Sequence, residues 1–359
     1  MLNAADAVPE NPGPSRIEFR PAAPRELPAL SHFLSRRFQV AEDAPFVAER
    51  HLAWKYWSER GDWTGPRSFT ARHGGRIVAH AAVWPLRIRA GGEVVRSVHV
   101  IDWAASPDYS GAGVWLMRRI HAHVPLMIAT GGRHITRQIL PVLGFRTHGQ
   151  LSIYARPVRP LGQALTASDR SWKAPARLVR NAVWRLSESG TCPRGWSAAP
   201  MMPEAMPEHL WPCASERTAV IARDAELYRY LVDSPSTRHR LFGLERGGEM
   251  VGYFCLSFVG HLARIADLWL TSPRIDDWAA AFRTATATAA LERGVYEVSA
   301  WATTALGGAA LTRAGFRERE RTDISLAGDT RLLQGRELHV QMIDCDASFL
   351  TDGVTSYLT

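Results

Sequence analysis

Phe69-Thr-Ala-Arg-His-Gly74-Gly75-Arg-Ile-Val78 returns later in the chain as Phe242-Gly-Leu-Glu-Arg-Gly247-Gly248-Glu-Met-Val251. In each, a glycine pair separates two runs of strand character, which is a β-hairpin signal. A second landmark, Leu143-Gly144-Phe145-Arg146, returns as Ala314-Gly315-Phe316-Arg317, at nearly the same distance from its hairpin. A third, Trp54-Lys55-Tyr56, precedes the first hairpin as Tyr228-Arg229-Tyr230 precedes the second. The interval is too long for a solenoid unit, so the chain reads as two copies of one domain in tandem.

Local signals fill in each copy. Arg16–Arg20 reads as a strand, and Pro24–Phe38 as a helix with Leu27, Leu30, Leu34 and Phe38 on one face. Trp54–Trp57 reads as an amphipathic helix with its rings inward and Lys55 in water. Gly91-Gly92 marks a second hairpin, and His99–Ala105 continues as an apolar strand. Val114–Val124 has helical spacing and stops at Pro125. Leu126–Ala129 is a short strand, Gly144 suits a helix C-cap, and Leu151–Ala155 closes the unit. Glu337–Ile343 reads as a further strand. The fold class is therefore α+β, with two tandem domains, each a mixed, mostly antiparallel sheet flanked by helices. The expected organisation is a flexible leader at 1–15, a first domain at 16–156, a proline-rich connection at 157–213 and a second domain at 214–359. Within the connection, Trp172–Ser187 reads as a basic amphipathic helix. Trp172, Val179, Val183 and Leu186 share a face, expected to dock on one of the domains, with peripheral membrane contact as the alternative.

Composition narrows the function classes. The 359 residues suffice for two ordinary cores. No apolar run is long enough to span a bilayer, and 1–15 lacks the features of a secretory signal. Cys192, Cys213, Cys255 and Cys345 form no C-x-x-C pair and no zinc spacing, so no metal site is expected and a reduced, cytoplasmic setting fits. The net charge of +8 comes almost wholly from arginine, because Lys55 and Lys173 are the only lysines. The arginines are dispersed, which argues against a nucleic-acid partner.

Chemistry concentrates in one segment. Ile101-Asp102-Trp103-Ala104-Ala105 is a strand, Ser106 to Gly113 is a turn-rich loop, and a helix starts near Val114. A helix start offers unpaired N–H groups and the positive end of the dipole, and small residues admit a pyrophosphate. Taken in order, the glycine hairpin, the strand, Pro107-x-x-x-Gly111-x-Gly113, the helix and Leu-Gly-Phe resemble the GCN5-related N-acetyltransferase (GNAT) superfamily. The resemblance covers roughly Arg16–Arg156 well and Cys213–Leu326 as a degenerate second copy.

The resemblance implies an acyl-CoA-dependent N-acyltransferase that moves an acetyl group from acetyl-CoA to a small amine or amino-sugar acceptor. It implies that Ser110, Gly111, Ala112, Gly113, Val114 and Trp115 hold the cofactor pyrophosphate. Trp103, Ala104 and Ala105, on a strand splayed from its neighbour, would take the pantetheine arm. His99 and Asp102 are the titratable candidates for the catalytic base. Being three apart, they are expected on opposite faces of the strand. Asp102 has an echo in Asp267, which hints at a structural role for both. The family pattern is broken at Ser110, at Trp115 and at Leu140, where a leaving-group tyrosine is usual. The second copy has no glycine between Asp267 and Asp277, so the first is the expected cofactor half. Tandem relatives include mycothiol-synthase-like enzymes, Fem-type transferases that use aminoacyl-tRNA, and proteins of bacterial polysaccharide synthesis. A Fem-like activity and a non-catalytic scaffold are the alternatives. The acceptor and the oligomeric state are not encoded in these motifs.

Overall fold

The computed structural model describes residues 17–109, 111–132, 134–167, 172, 174–187, 191–351, 353 and 356–359. The expected leader, Ser110 and Lys173 lie outside them. In chain order the first half holds β1 (Glu18–Pro21), α1 (Leu27–Phe38), α2 (Glu49–Trp57), β2 (Ser68–His73), β3 (Arg76–Ala90), β4 (Glu93–Ala105), α3 (Ala112–His121), β5 (Leu126–Thr130), α4 (His134–Ile139) and β6 (Arg146–Pro157). Next come α5 (Pro160–Thr166) and α6 (Ala174–Ser187). The rest comprises β7 (Trp196–Pro200), β8 (Thr218–Ile221), α7 (Ala225–Val232), β9 (Arg238–Arg246), β10 (Glu249–Val259), β11 (Leu262–Leu270), α8 (Ile275–Ala290), β12 (Glu297–Ala302), α9 (Ala305–Arg313), β13 (Arg317–Gly328) and β14 (Glu337–His339).

Both hairpins form where the glycines predict them. Gly74, Gly75, Gly247 and Gly248 all have positive φ, which the turns demand and other residues resist. Gly144, closing the 3-10 turn that follows α4, and Gly315, after α9, adopt the same left-handed conformation, so the second landmark is a pair of helix-end turns.

The strands make one curled mixed sheet in the order β1-β2-β3-β4-β5-β13-β6-β12-β11-β10-β9-β7. Its centre is a reciprocal strand exchange. Strand β13 of the second half pairs with β5, and β6, the last strand of the first half, pairs with β12. β13 and β6 then pair with each other. The repeats thus share one sheet and one large core that runs across both, with a smaller core under α3. Trp54 and Tyr230 mark the pseudo-symmetry. Their rings stack at 4.7 Å, the Trp54 indole donates to the Tyr230 carbonyl, and the Tyr230 hydroxyl donates to the Trp54 carbonyl.

Several sequence expectations change. Trp196–Pro200, read as connection, is strand β7 and pairs with β9 as β1 pairs with β2. Glu337–Ile343 is strand only as far as His339, after which a 3-10 turn covers Met342–Asp344. Lys55 is not in water: its side chain is fully buried against Asp102. The apolar face of α6 does not dock either. Trp184 and Asn181 are buried instead, while Val179 is 63% and Leu186 86% exposed. The reason is a polar network. Asn181 Nδ2 donates to Gln163 Oε1, and Gln163 donates to Glu297 and Thr359. A hydrogen-bonded surface draws the polar side of the helix inward.

Candidate active site

The site grows from a break in one strand. β4 pairs with β3 in register from Glu93 to Ile101, then two residues, Asp102 and Trp103, stand opposite Ala81. This is a β-bulge. Asp102 accommodates it with φ of 50°, a left-handed conformation that aspartate tolerates better than most residues. The extra residue reverses the alternation of side chains. His99 and Asp102, expected on opposite faces, both point to the α1–α2 side, and Trp103 points to the α3 side.

On its other edge β4 pairs with β5 only at Val98 and His99. Beyond them the two parallel strands part, leaving the edge of 102–105 without a ladder partner among the described residues. In the second half the equivalent pair, β11 and β12, stays joined over four positions up to Ile265. The opening is therefore wider in the first half.

On the α3 side of the opening lies the helix start. Gly111 caps α3 with φ of 87°, and a side chain there would meet only open space. Gly113 sits so close to Trp103 and Ala105 that a Cβ would lie 3.1 Å from each. The Trp103 indole donates to the Gly113 carbonyl at 3.1 Å, fixing the strand to the helix start. Ala112 is buried, and Val114 and Trp115 complete the first turn. The Trp115 ring does not block the loop. It rests edge-on against Phe19 of β1, 6.0 Å away, with the Arg119 guanidinium over it. First-turn N–H groups, a small-residue approach and a dipole end fit an anionic pyrophosphate.

On the opposite side lie the titratable groups. Lys55 Nζ is 2.6 Å from Asp102 Oδ2, and the Tyr56 hydroxyl donates to the same oxygen at 2.5 Å. Burial pushes the Asp102 carboxyl up, but Lys55 and Tyr56 outweigh it and hold the pKa below the ordinary value. His80 donates from Nδ1 to the Asp102 carbonyl and accepts from Ser68. The second half repeats this cluster: Asp267 accepts from Tyr228 and Tyr253, and Arg223 stands where a cation is needed. The echo of Asp102 in Asp267 is thus an echo of two buried, bonded carboxylates. Sequence alone does not pair them with their cations, because Lys55 lies in α2 and Arg223 lies ahead of α7.

His99 is buried. Its Nδ1 donates to the Asp344 carbonyl and its Nε2 accepts from Thr130. Burial lowers its pKa to about 4, so the ring is neutral at physiological pH. It ties the end of β5 to the C-terminal segment. Beside Thr130 opens a cavity of about 560 Å³, lined among others by Gly131, Arg137, Trp301, Arg321 and Asp346. Asp346 was not among the residues singled out from sequence. Burial, reinforced by the charge of Asp102, raises its pKa to about 6. Only the fold brings residue 346 next to the products of residues 55 and 102.

The comparisons agree with this fold. A family model described as an acetyltransferase (GNAT) domain matches residues 18–127. A GCN5-related N-acetyltransferase from Anabaena variabilis ATCC 29413 is similar in structure, with a TM-score of 0.56 at 12% identity, over 87% of this chain and 72% of that one. N-myristoyltransferase from Saccharomyces cerevisiae, solved with bound myristoyl-CoA, gives 0.58 at 10% identity, over 90% and 82%. A tandem GNAT protein from the clavulanic acid biosynthesis pathway gives 0.53 at 14% identity, over 87% and 98%. No curated protein sequence matches the chain. Residues 18–127 carry the match to the GNAT domain, and the chain as a whole has a tandem GNAT fold, a large curled mixed sheet flanked by helices.

Proposed function

We propose that the protein is an acyl-CoA-dependent N-acyltransferase that transfers an acetyl group from acetyl-CoA to a small amine or amino-sugar acceptor. The observation that carries this reading is the parting of β4 and β5 beyond His99, between a helix start on one side and a titratable cavity on the other. In this reading Gly111, Ala112, Gly113, Val114 and Trp115, with Ser110 before them, take the pyrophosphate. Trp103, Ala104 and Ala105 line the thioester arm. The open backbone edge of the bulge supplies polar groups to the carbonyl oxygen as charge develops on it.

The acceptor enters from the cavity beside Thr130. Its nitrogen attacks the thioester carbonyl, the C–S bond breaks, and the CoA thiolate leaves. The proton lost by the amine goes to a base. Asp346 fits that role better than His99 or Asp102. It lines the cavity and its raised pKa suits proton transfer near neutral pH. His99 has both nitrogens engaged, and Asp102 is neutralised by Lys55. They position the site instead: Asp102 holds the bulge, and His99 holds the cavity wall.

Calorimetry with acetyl-CoA tests the reading. Micromolar binding by the wild type, lost in a folded Gly113→Glu variant, supports it. Absence of binding to the folded wild type overturns it in favour of a non-catalytic scaffold. Retention of tRNA at low salt would instead favour the Fem-like alternative.

A further inference from the structure

Helices α5 and α6 are docked inside out. α5 buries Gln163, and its Gly162 lies so close to Tyr296 that a Cβ would meet the ring at 2.7 Å. α6 buries Asn181, which bonds to Gln163, and Trp184, whose indole donates to the Gly315 carbonyl. At 100° per residue, Leu161 and Leu165 lie opposite Gln163, and Val179 and Val183 lie opposite Asn181. These four are 60–78% exposed, and Leu186, toward the end of α6, is 86% exposed. Trp172, just ahead of α6, is also 86% exposed. An outward apolar surface on two adjoining helices calls for an occupant.

Charge says which. Neither helix contains an aspartate or a glutamate. Arg180 and Arg185 lie on opposite flanks of the Val179–Val183–Leu186 row. Arg177, Arg317 and Arg319 stand close enough to press on the charge of Arg180. Over 160–187 of the sequence, Asp169 is the only carboxylate, against Arg170, Lys173, Arg177, Arg180 and Arg185. An apolar strip rimmed by cations matches the boundary of an anionic bilayer, where the strip enters the acyl region and the arginines reach the phosphates.

We propose that α5 and α6 form a peripheral membrane-binding surface that seats the protein on anionic phospholipid. The surface lies outside the acyltransferase site and does not depend on its activity.

The test is flotation of the full-length protein with vesicles of phosphatidylglycerol mixed into phosphatidylcholine, and with phosphatidylcholine alone. Co-flotation with the anionic vesicles, weakening as salt rises, is expected. The V179Q/V183Q/L165Q variant changes only exposed positions, so its melting temperature stays within a few degrees of wild type while binding falls on the order of tenfold or more. Arg185→Glu, an independent charge variant, weakens binding on the order of tenfold. No co-flotation at low salt overturns the proposal. So does a dimer, seen by sedimentation, that the triple variant dissociates, because a second copy would then be the occupant.

Discussion

Lys55 and Asp102 form an ion pair of 2.6 Å with both side chains out of water, and the aspartate sits at the one point where β4 leaves its ladder. The pair therefore fixes the bulge that opens the sheet. Its residues come from α2 and β4, so it also pins the helix to the strand.

Removing one partner leaves a buried charge unpaired. Lys55→Met is expected to cost about 3–5 kcal/mol in denaturant unfolding. The double variant K55M/D102N should recover much of that, because no charge remains uncompensated and asparagine still tolerates the left-handed backbone. The pH dependence has a definite sign. The folded-state pKa of Asp102 lies below its ordinary value of 3.8. Its contribution is thus present above about pH 4 and is lost as pH falls through the folded value. In K55M burial acts on Asp102 without its cation, so protonation relieves the unpaired carboxylate: the deficit relative to wild type is largest near neutral pH and shrinks as pH falls, which denaturant unfolding at pH 7 and pH 4 will read.

Asp346 should behave in the opposite sense. Its pKa is raised from 3.8 to about 6, so folding favours the protonated form and stability falls as pH rises from about 4 through about 6. Asp346→Asn is then expected to unfold at a higher temperature than wild type at pH 8, with no gain at pH 4. If Asp346 is the base, kcat/KM of the wild type declines below about pH 6. D346N loses about 10²–10⁴-fold in kcat while its acetyl-CoA affinity stays unchanged. A variant that is both more stable and inactive separates a functional role from a structural one.

The repeated landmarks made the tandem architecture legible, because glycine at positive φ leaves a strong local trace at Gly74, Gly144, Gly247 and Gly315. The loop before α3 was legible for the same reason. The arrangement of the site was not. A bulge adds one residue to a strand without changing its composition, so His99 and Asp102 read as facing apart when they face together. Burial of Lys55 was hidden because a lysine among aromatic residues looks like the wet edge of a helix until its carboxylate, far away in sequence, is known. Asp346 left no local trace, since its importance comes from non-local packing alone. The outward face of α6 was misread because helical spacing identifies an apolar stripe but not what lies beneath it.

The strand exchange yields the last prediction. β5 is flanked by β4 and β13, and β12 by β11 and β6. A fragment ending at Pro157 keeps β5 but loses β13, and its own β6 loses both of its partners. The complementary fragment has the same defect at β12. Each would expose unpaired strand edges and part of the shared core, including the face of Trp54 that stacks on Tyr230. Neither fragment is expected to remain soluble and folded by itself. Co-expressed, the two should assemble into a stoichiometric complex with the circular dichroism spectrum of the intact chain, because the exchanged strands need the partner half and not the covalent link. Size-exclusion chromatography of the separate and co-expressed fragments decides the point. A monomeric, cooperatively melting first fragment would show that β5 can find another partner and that the exchange is not required for folding.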